Sequence, residues 1–161
     1  KNVGQCFLTN LSTGEGIRAT TKARETRVMS PSRDVTPFVQ ITQELGRDVY
    51  NTPVSCPLKN SAGAPVGYGG AMGPSQFIPS TWVLYKGKIQ GMTGRAPDPW
   101  NIKDAFLATG VYLKDLGVMS NEFKAVMRYF SGSSWSKWEE FYGNSVLAIA
   151  KQYEQDIKGM Q

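Results

Sequence analysis

Tyr68-Gly69-Gly70-Ala71-Met72-Gly73-Pro74-Ser75-Gln76-Phe77-Ile78-Pro79-Ser80-Thr81-Trp82 is the stretch around which the chain is organised. Its glycines and Ala71 let backbone approach backbone or ligand closely, and Pro74 has φ already set for a first helical turn. The spacing therefore predicts a tight loop feeding a short helix, with Ser75 and Gln76 in the first turn beside unpaired amides. Pro79 then ends that helix, and Ser80 or Thr81 caps a second one carrying Trp82.

Working outward, Thr36 reads as an N-cap and Pro37 as the first position of a helix that buries Phe38, Ile41, Thr42 and Leu45 and stops at Gly46. Residues 1–33, rich in Gly, Thr, Ser and Arg, show no sustained period and read as an extended, loop-rich arm. Residues 47–67 form a second irregular connection, with a short β-hairpin near Cys56 as one reading. Beyond the central stretch the chain leaves its helix through Gly91 and Gly94 and turns at Pro97-Asp98-Pro99. Asn101 caps a helix to Leu116 with Ala105, Phe106, Ala108, Thr109, Tyr112 and Leu113 at helical spacing, and Gly117 stops it. Ser120 caps another with Phe123, Val126, Met127 and Phe130 as its stripe. A last helix over 144–158 turns Val146, Leu147, Ile149, Ala150, Tyr153 and Ile157 inward. The expected fold is mainly α, one domain over 1–161 with about five or six short helices and long loops.

The 161 residues carry a net charge of +5, which favours an anionic partner without choosing among nucleic acid, anionic lipid and anionic cell-wall polymer. No dense Lys/Arg run with interleaved aromatics and no zinc, RNP or helix-turn-helix signature is present, so nucleic acid is not expected. No apolar run approaches the length of a transmembrane segment, and the first residues are not a signal peptide. With no histidine and only Cys6 and Cys56, imidazole metal sites and Ser-His or Cys-His nucleophiles are closed, and no metal is expected. Both cysteines lie in polar, turn-rich sequence, which favours a disulfide over two separate buried thiols; in an exported chain it would close a loop of about 50 residues and contribute roughly 2 to 4 kcal/mol.

Gly70-Ala71-Met72-Gly73-Pro74-Ser75-Gln76-Phe77-Ile78-Pro79-Ser80-Thr81-Trp82 resembles the G-A-M-G-x-x-Q-F-x-P-S-x-[WY] signature of bacterial lytic murein transglycosylases, in the membrane-bound lytic transglycosylase B branch. Asp98-Pro99-Trp100-Asn101-Ile102-Lys103-Asp104-Ala105, with Ala108 and Tyr112-Leu113 after it, is similar to that branch's next block. Arg128-Tyr129-Phe130-Ser131-Gly132 stands where the family has a Y-N-x-G-like motif, and Tyr142-Gly143 is similar to a further tyrosine segment. The resemblance runs from Tyr68 to the C-terminus. It implies a lysozyme-like fold, an extracytoplasmic location, peptidoglycan glycan strands as partner and no cofactor.

The resemblance also implies the chemistry. One glutamic acid, its pKa raised in an apolar cleft, protonates the leaving oxygen between N-acetylmuramic acid and N-acetylglucosamine. The substrate acetamide attacks, and the same residue then takes the C6 hydroxyl proton, forming a 1,6-anhydro sugar with no second carboxylate. In the family that glutamate stands in an E-S-x-x-G motif ahead of the Gly-Ala-Met-Gly segment, and this sequence has no Glu-Ser pair. Glu15 and Glu25 are the fallbacks, in polar, basic surroundings that would lower a carboxyl pKa; Glu44, Glu122, Glu139, Glu140 and Glu154 read as solvated or dipole-facing charges. The expectation is that the acid belongs to sequence ahead of Lys1, with Lys1-Asn2-Val3-Gly4 leading away from the catalytic helix. Carried over residue by residue, Gln76 and Tyr129 are substrate-binding, joined by Met72, Tyr68 and Ser75 along the groove; a capping or packing amide is the competing reading for Gln76 and core packing for Tyr129 and Met72, and Phe130 replaces the usual asparagine. Phe77, Trp82 and Trp100 read as core, and Trp135 and Trp138 as helix-docking aromatics.

Overall fold

Gln5–Asn10 forms β1 because its alternation turns Cys6 and Leu8 into the core while Gln5 and Thr9 face out. It pairs antiparallel with β2, Glu15–Arg18, and with a short strand later in the chain, Val54–Ser55; a two-residue strand, Arg24–Glu25 (β3), adds to β2. The later strand is β4, and the sheet order is β3-β2-β1-β4. The structure, a computed structural model, describes residues 4–18, 24–137 and 142–160. Leu58–Lys59 (β5) and Pro65–Val66 (β6) make the hairpin expected near Cys56, its turn tied by Asn60 Oδ1 accepting from the Ala62 and Ala64 amides.

The helices are α1, Val35–Glu44; α2, Pro79–Thr93; α3, Ile102–Asp115; α4, Glu122–Ser131; and α5, Asn144–Gly159. Helix accounts for 49% of the structure, and with the sheet the fold is mixed α and β rather than mainly α. The residues first read as a loop-rich arm supply three of the four strands. They were hidden because β2 and β3 are too short to show a period and a register irregularity between Leu8 and Asn10 interrupts β1. The Cys6–Cys56 disulfide is formed, with Cα atoms 5.1 Å apart, and ties β1 to the residue after β4.

Two compact units divide the chain, Lys1–Ala108 and Thr109–Gln161. In the first, α1 buries Val35, Phe38, Ile41 and Thr42. Its N-cap is Asp34, and the helix starts ahead of Thr36, the expected cap. Asp34 is fully buried and its oxygens serve other partners: the Ser80 amide donates to Oδ1 at 3.2 Å, and Arg33 pairs with Oδ2. One carboxylate thereby satisfies an orphan amide of α2 from the start of α1. Helix α2 buries Trp82 and Ile89 and runs through Gly87 and Gly91 to a left-handed cap at Gly94.

Asp104 is 2% exposed and accepts both Arg95 guanidinium nitrogens, at 2.8 and 2.7 Å, and the Asp98 amide at 2.9 Å. Burial opposes its charge, but the Arg95 fork and the Asp98 N–H outweigh it and hold the carboxyl below its ordinary value. A depressed folded pKa contributes stability that is present above the unfolded value, about 3.9, and is lost as pH falls through the folded one. Thermal melts are therefore expected to shift downward as pH drops below about 4, and Asp104→Asn to flatten that acid limb while lowering stability at neutral pH. An unchanged acid limb in the variant would contradict this.

In the second unit the Asn121 side chain accepts from the Lys124 amide and caps α4, one residue beyond the expected Ser120. Ala125, Val126 and Met127 are buried, while Phe130 is exposed and stacks on Tyr142 with ring centroids 4.2 Å apart. Helix α5 forms where expected but has no buried residue: Ile149, Tyr153 and Ile157 are more than half exposed. Phe106 of α3 is likewise exposed. Periodicity shows that a helix has an apolar face; it carries no information about what covers it. Lys1, Asn2, Val3, Trp138, Glu139 and Glu140 lie outside the described residues.

Candidate functional site

The central stretch is held by the sheet edge rather than by a helix. The Gly69 amide donates to the Arg27 carbonyl (3.0 Å), Gly70 to the Ser55 carbonyl (2.9 Å), and Ser55 to the Ala71 carbonyl (2.8 Å). Ser55 Oγ accepts from the Ala71 amide, so one residue of β4 takes part in three hydrogen bonds to Gly70 and Ala71. Only glycine permits this closeness at position 69: a Cβ there would overlap the Ser55 carbonyl oxygen.

Gly73–Gln76 is a turn, and the expected first helix is absent. Gly73 (φ 58°) and Gln76 (φ 55°) both lie in the left-handed region, which ends any helical run between them. The Met72 amide donates to the Phe77 carbonyl at 2.9 Å and closes the turn as a bridge. Pro79 accordingly does not stop a helix; it stands at the start of α2, where its missing N–H costs nothing. The turn presents Gln76 outward, its Nε2 donating to the Gly73 carbonyl at 2.7 Å, and among the described residues Oε1 has no hydrogen-bond partner.

A cavity of about 180 Å³ opens at this turn, lined by Gly4, Gln5, Pro53, Val54, Ser55, Ala71, Gly73, Gln76 and Trp100. Gln76 is thus in its wall. Trp100, read as core, also lines it. Its indole N–H donates to the Pro53 carbonyl (2.9 Å), and Arg47, paired with Asp98 at 2.6 Å, lies over the ring at 4.8 Å. Ser55, Gln5 and Trp100 were not legible as site residues because the sheet edge and the turn before α3 bring them from distant sequence.

The other proposed residues differ in burial and partners. Met72 is fully buried and packs in the core. Ser75 is half-buried beside Gln76, whereas Tyr68 is 47% exposed with the Arg27 guanidinium 5.9 Å from its ring centre. Tyr129 belongs to the second unit, its ring 5.2 Å from that of Tyr112 and its hydroxyl 3.3 Å from Thr109 Oγ1. Burial raises the Tyr112 phenol above its ordinary pKa, the Arg128 charge opposing. Glu15 pairs with Arg24, and buried Glu25 pairs with Lys59 Nζ at 3.3 Å. Neither lines the cavity, and among the described residues no carboxylate lines it.

Among the described residues no three His, Cys, Asp or Glu side chains come together as metal ligands, and no helix is long and apolar enough to cross a membrane. No protein-family model, no curated protein and no solved structure matches the chain.

Proposed function

We infer that this chain is part of a peptidoglycan lytic transglycosylase domain of lysozyme-like type, cleaving the bond between N-acetylmuramic acid and N-acetylglucosamine with a 1,6-anhydromuramyl product, its acid supplied by a glutamate ahead of Lys1. The observation that carries the reading is the position of Gln76. A polar amide on strained backbone, fastened to the Gly73 carbonyl, faces a cavity whose wall also includes Gly4 and Gln5. Strain of this kind persists where the surroundings over-determine it and is concentrated at functional sites. The disulfide supports an oxidising, extracytoplasmic setting.

A second reading, a non-catalytic peptidoglycan-binding module, is favoured by the lack of a carboxylate among the described residues of the cavity wall. Both readings predict murein binding through Gln76. Gln76→Gly removes the amide and relieves the backbone, so murein affinity is expected to fall about fivefold with no loss of thermal stability. Unchanged affinity would sink both.

Digestion of purified murein, read by mass spectrometry, separates them. The 161-residue chain is expected to release no 1,6-anhydromuramyl product, and a chain extended through an upstream Glu-Ser helix to release it. Product from the unextended chain would move the acid to Glu15 or Glu25, to be tested by substitution with Gln. An extended chain that binds murein without cutting it would favour the module.

A further inference from the structure

We propose that Arg27, held over the ring of Tyr68, is a subsite for a carboxylate carried by the murein strand; this rests on the murein reading above. Arg27 and Gln76 are the two non-glycine residues with positive φ among the described residues, 59° and 55°. Both belong to the same construction. The Arg27 carbonyl accepts from Gly69, the next amide along is held by Ser55, and Ser55 and Ala71 line the cavity that Gln76 faces. Arg27 therefore holds Gly69, at the start of the loop that ends in Gln76 and two residues ahead of Ala71 in the cavity wall.

The chemistry of the side chain selects the ligand. Arg24, Arg33, Arg47 and Arg95 each pair with a carboxylate, from Glu15, Asp34, Asp98 and Asp104. Arg27 has none among the described residues, and Glu25, the acid nearest to it in sequence, is engaged by Lys59. The guanidinium lies over the Tyr68 ring at 5.9 Å from its centre, within cation–π reach, and its N–H donors form a planar fork that matches a carboxylate bidentately. Both Arg27 and Tyr68 are exposed, so the fork is open to a polymer lying along the loop. An arginine that only coats a surface has no reason to occupy the left-handed region, where glycine or asparagine is at ease.

Murein offers carboxylates from two sources, the stem peptide and, where the peptide has been removed, the lactyl group of the muramic acid. The test measures binding of the full chain, and of Arg27→Gly and Arg27→Asn, to peptide-bearing strands, to peptide-stripped strands and to each after its carboxyl groups are amidated. Both substitutions suit the backbone, so melting temperatures are expected to hold or rise. Affinity for carboxylate-bearing strands is expected to fall about five- to tenfold, with no change on amidated strands. A loss confined to peptide-bearing strands assigns the stem peptide; a loss on stripped strands assigns the lactyl group. An equal loss on amidated strands, or no loss on any, overturns the subsite while the murein reading stands. Failure of the unsubstituted chain to bind any strand overturns both.

Discussion

Gly73→Ala is expected to lower the melting temperature of the first unit by about 10 °C, whereas Gly87→Ala leaves it unchanged or raises it. The two glycines differ in what a methyl group meets. At Gly73 the backbone is left-handed, φ 58°, and a Cβ would overlap the Pro99 carbonyl oxygen and lie 3.1 Å from Trp100 Cα. The neighbours are backbone atoms of a segment already anchored by Trp100 on Pro53 and Asp98 on Arg47, so they cannot swing aside like the end of a lysine. The conformational term contributes about 1 kcal/mol and the forced displacement about 1 to 3 more. Gly87 sits within α2 with nothing within 4 Å of its Cβ, and there alanine gains up to about 1 kcal/mol of helix propensity. Since Gln76 is fastened to the Gly73 carbonyl, the murein binding proposed above is expected to fall with stability in the first variant and to persist in the second. Similar melts for the two variants would show that the turn is more compliant than its contacts suggest.

Gly73 also shows why the central stretch was only half legible in sequence. Its glycines announce close approach, and Gly69 against Ser55 bears that out. Pro74 and Pro79, though, are compatible with helix starts, helix stops and turns alike. The choice was made by two residues in left-handed conformation and by the Met72–Phe77 bridge, and a glutamine at φ 55° has no sequence signature. The caps of α3 and α4 were readable or nearly so, because an asparagine ahead of an apolar stripe is a local device. The sheet was not, since strands of two to six residues are specified by partners elsewhere. Likewise Trp100 has one polar atom and a large apolar ring, a combination that serves core and cavity wall equally; its placement against Pro53 decided the matter.

Reduction of the Cys6–Cys56 bond is expected to have the largest effect on stability, about 4 kcal/mol from the entropy of closing a loop with a separation of 50 residues. A loss of this size lowers the melting temperature by roughly 10 °C or more. The location of the bond gives the loss a functional direction. Strand β4 meets β1 through two register pairs, Gln5 with Ser55 and Cys6 with Val54, supplemented by the Cys56 amide on the Gly4 carbonyl. An edge that short is weak by itself, and the disulfide closes its end. Ser55 in turn carries Gly70 and Ala71, and Gly4, Gln5 and Ser55 are walls of the cavity. Freed from β1, β4 would let the cavity lose one wall and the Tyr68–Gln76 loop its support. On the proposed murein reading, affinity of the reduced chain is expected to drop at temperatures well below its melting point, and a Cys6→Ala/Cys56→Ala chain to reproduce both effects without reductant. A reduced chain that melts early yet binds murein normally while folded would mean that the bond only restrains the unfolded chain. Loss of binding ahead of melting would mean that it also holds the site, and that the site assembles only where thiols are oxidised.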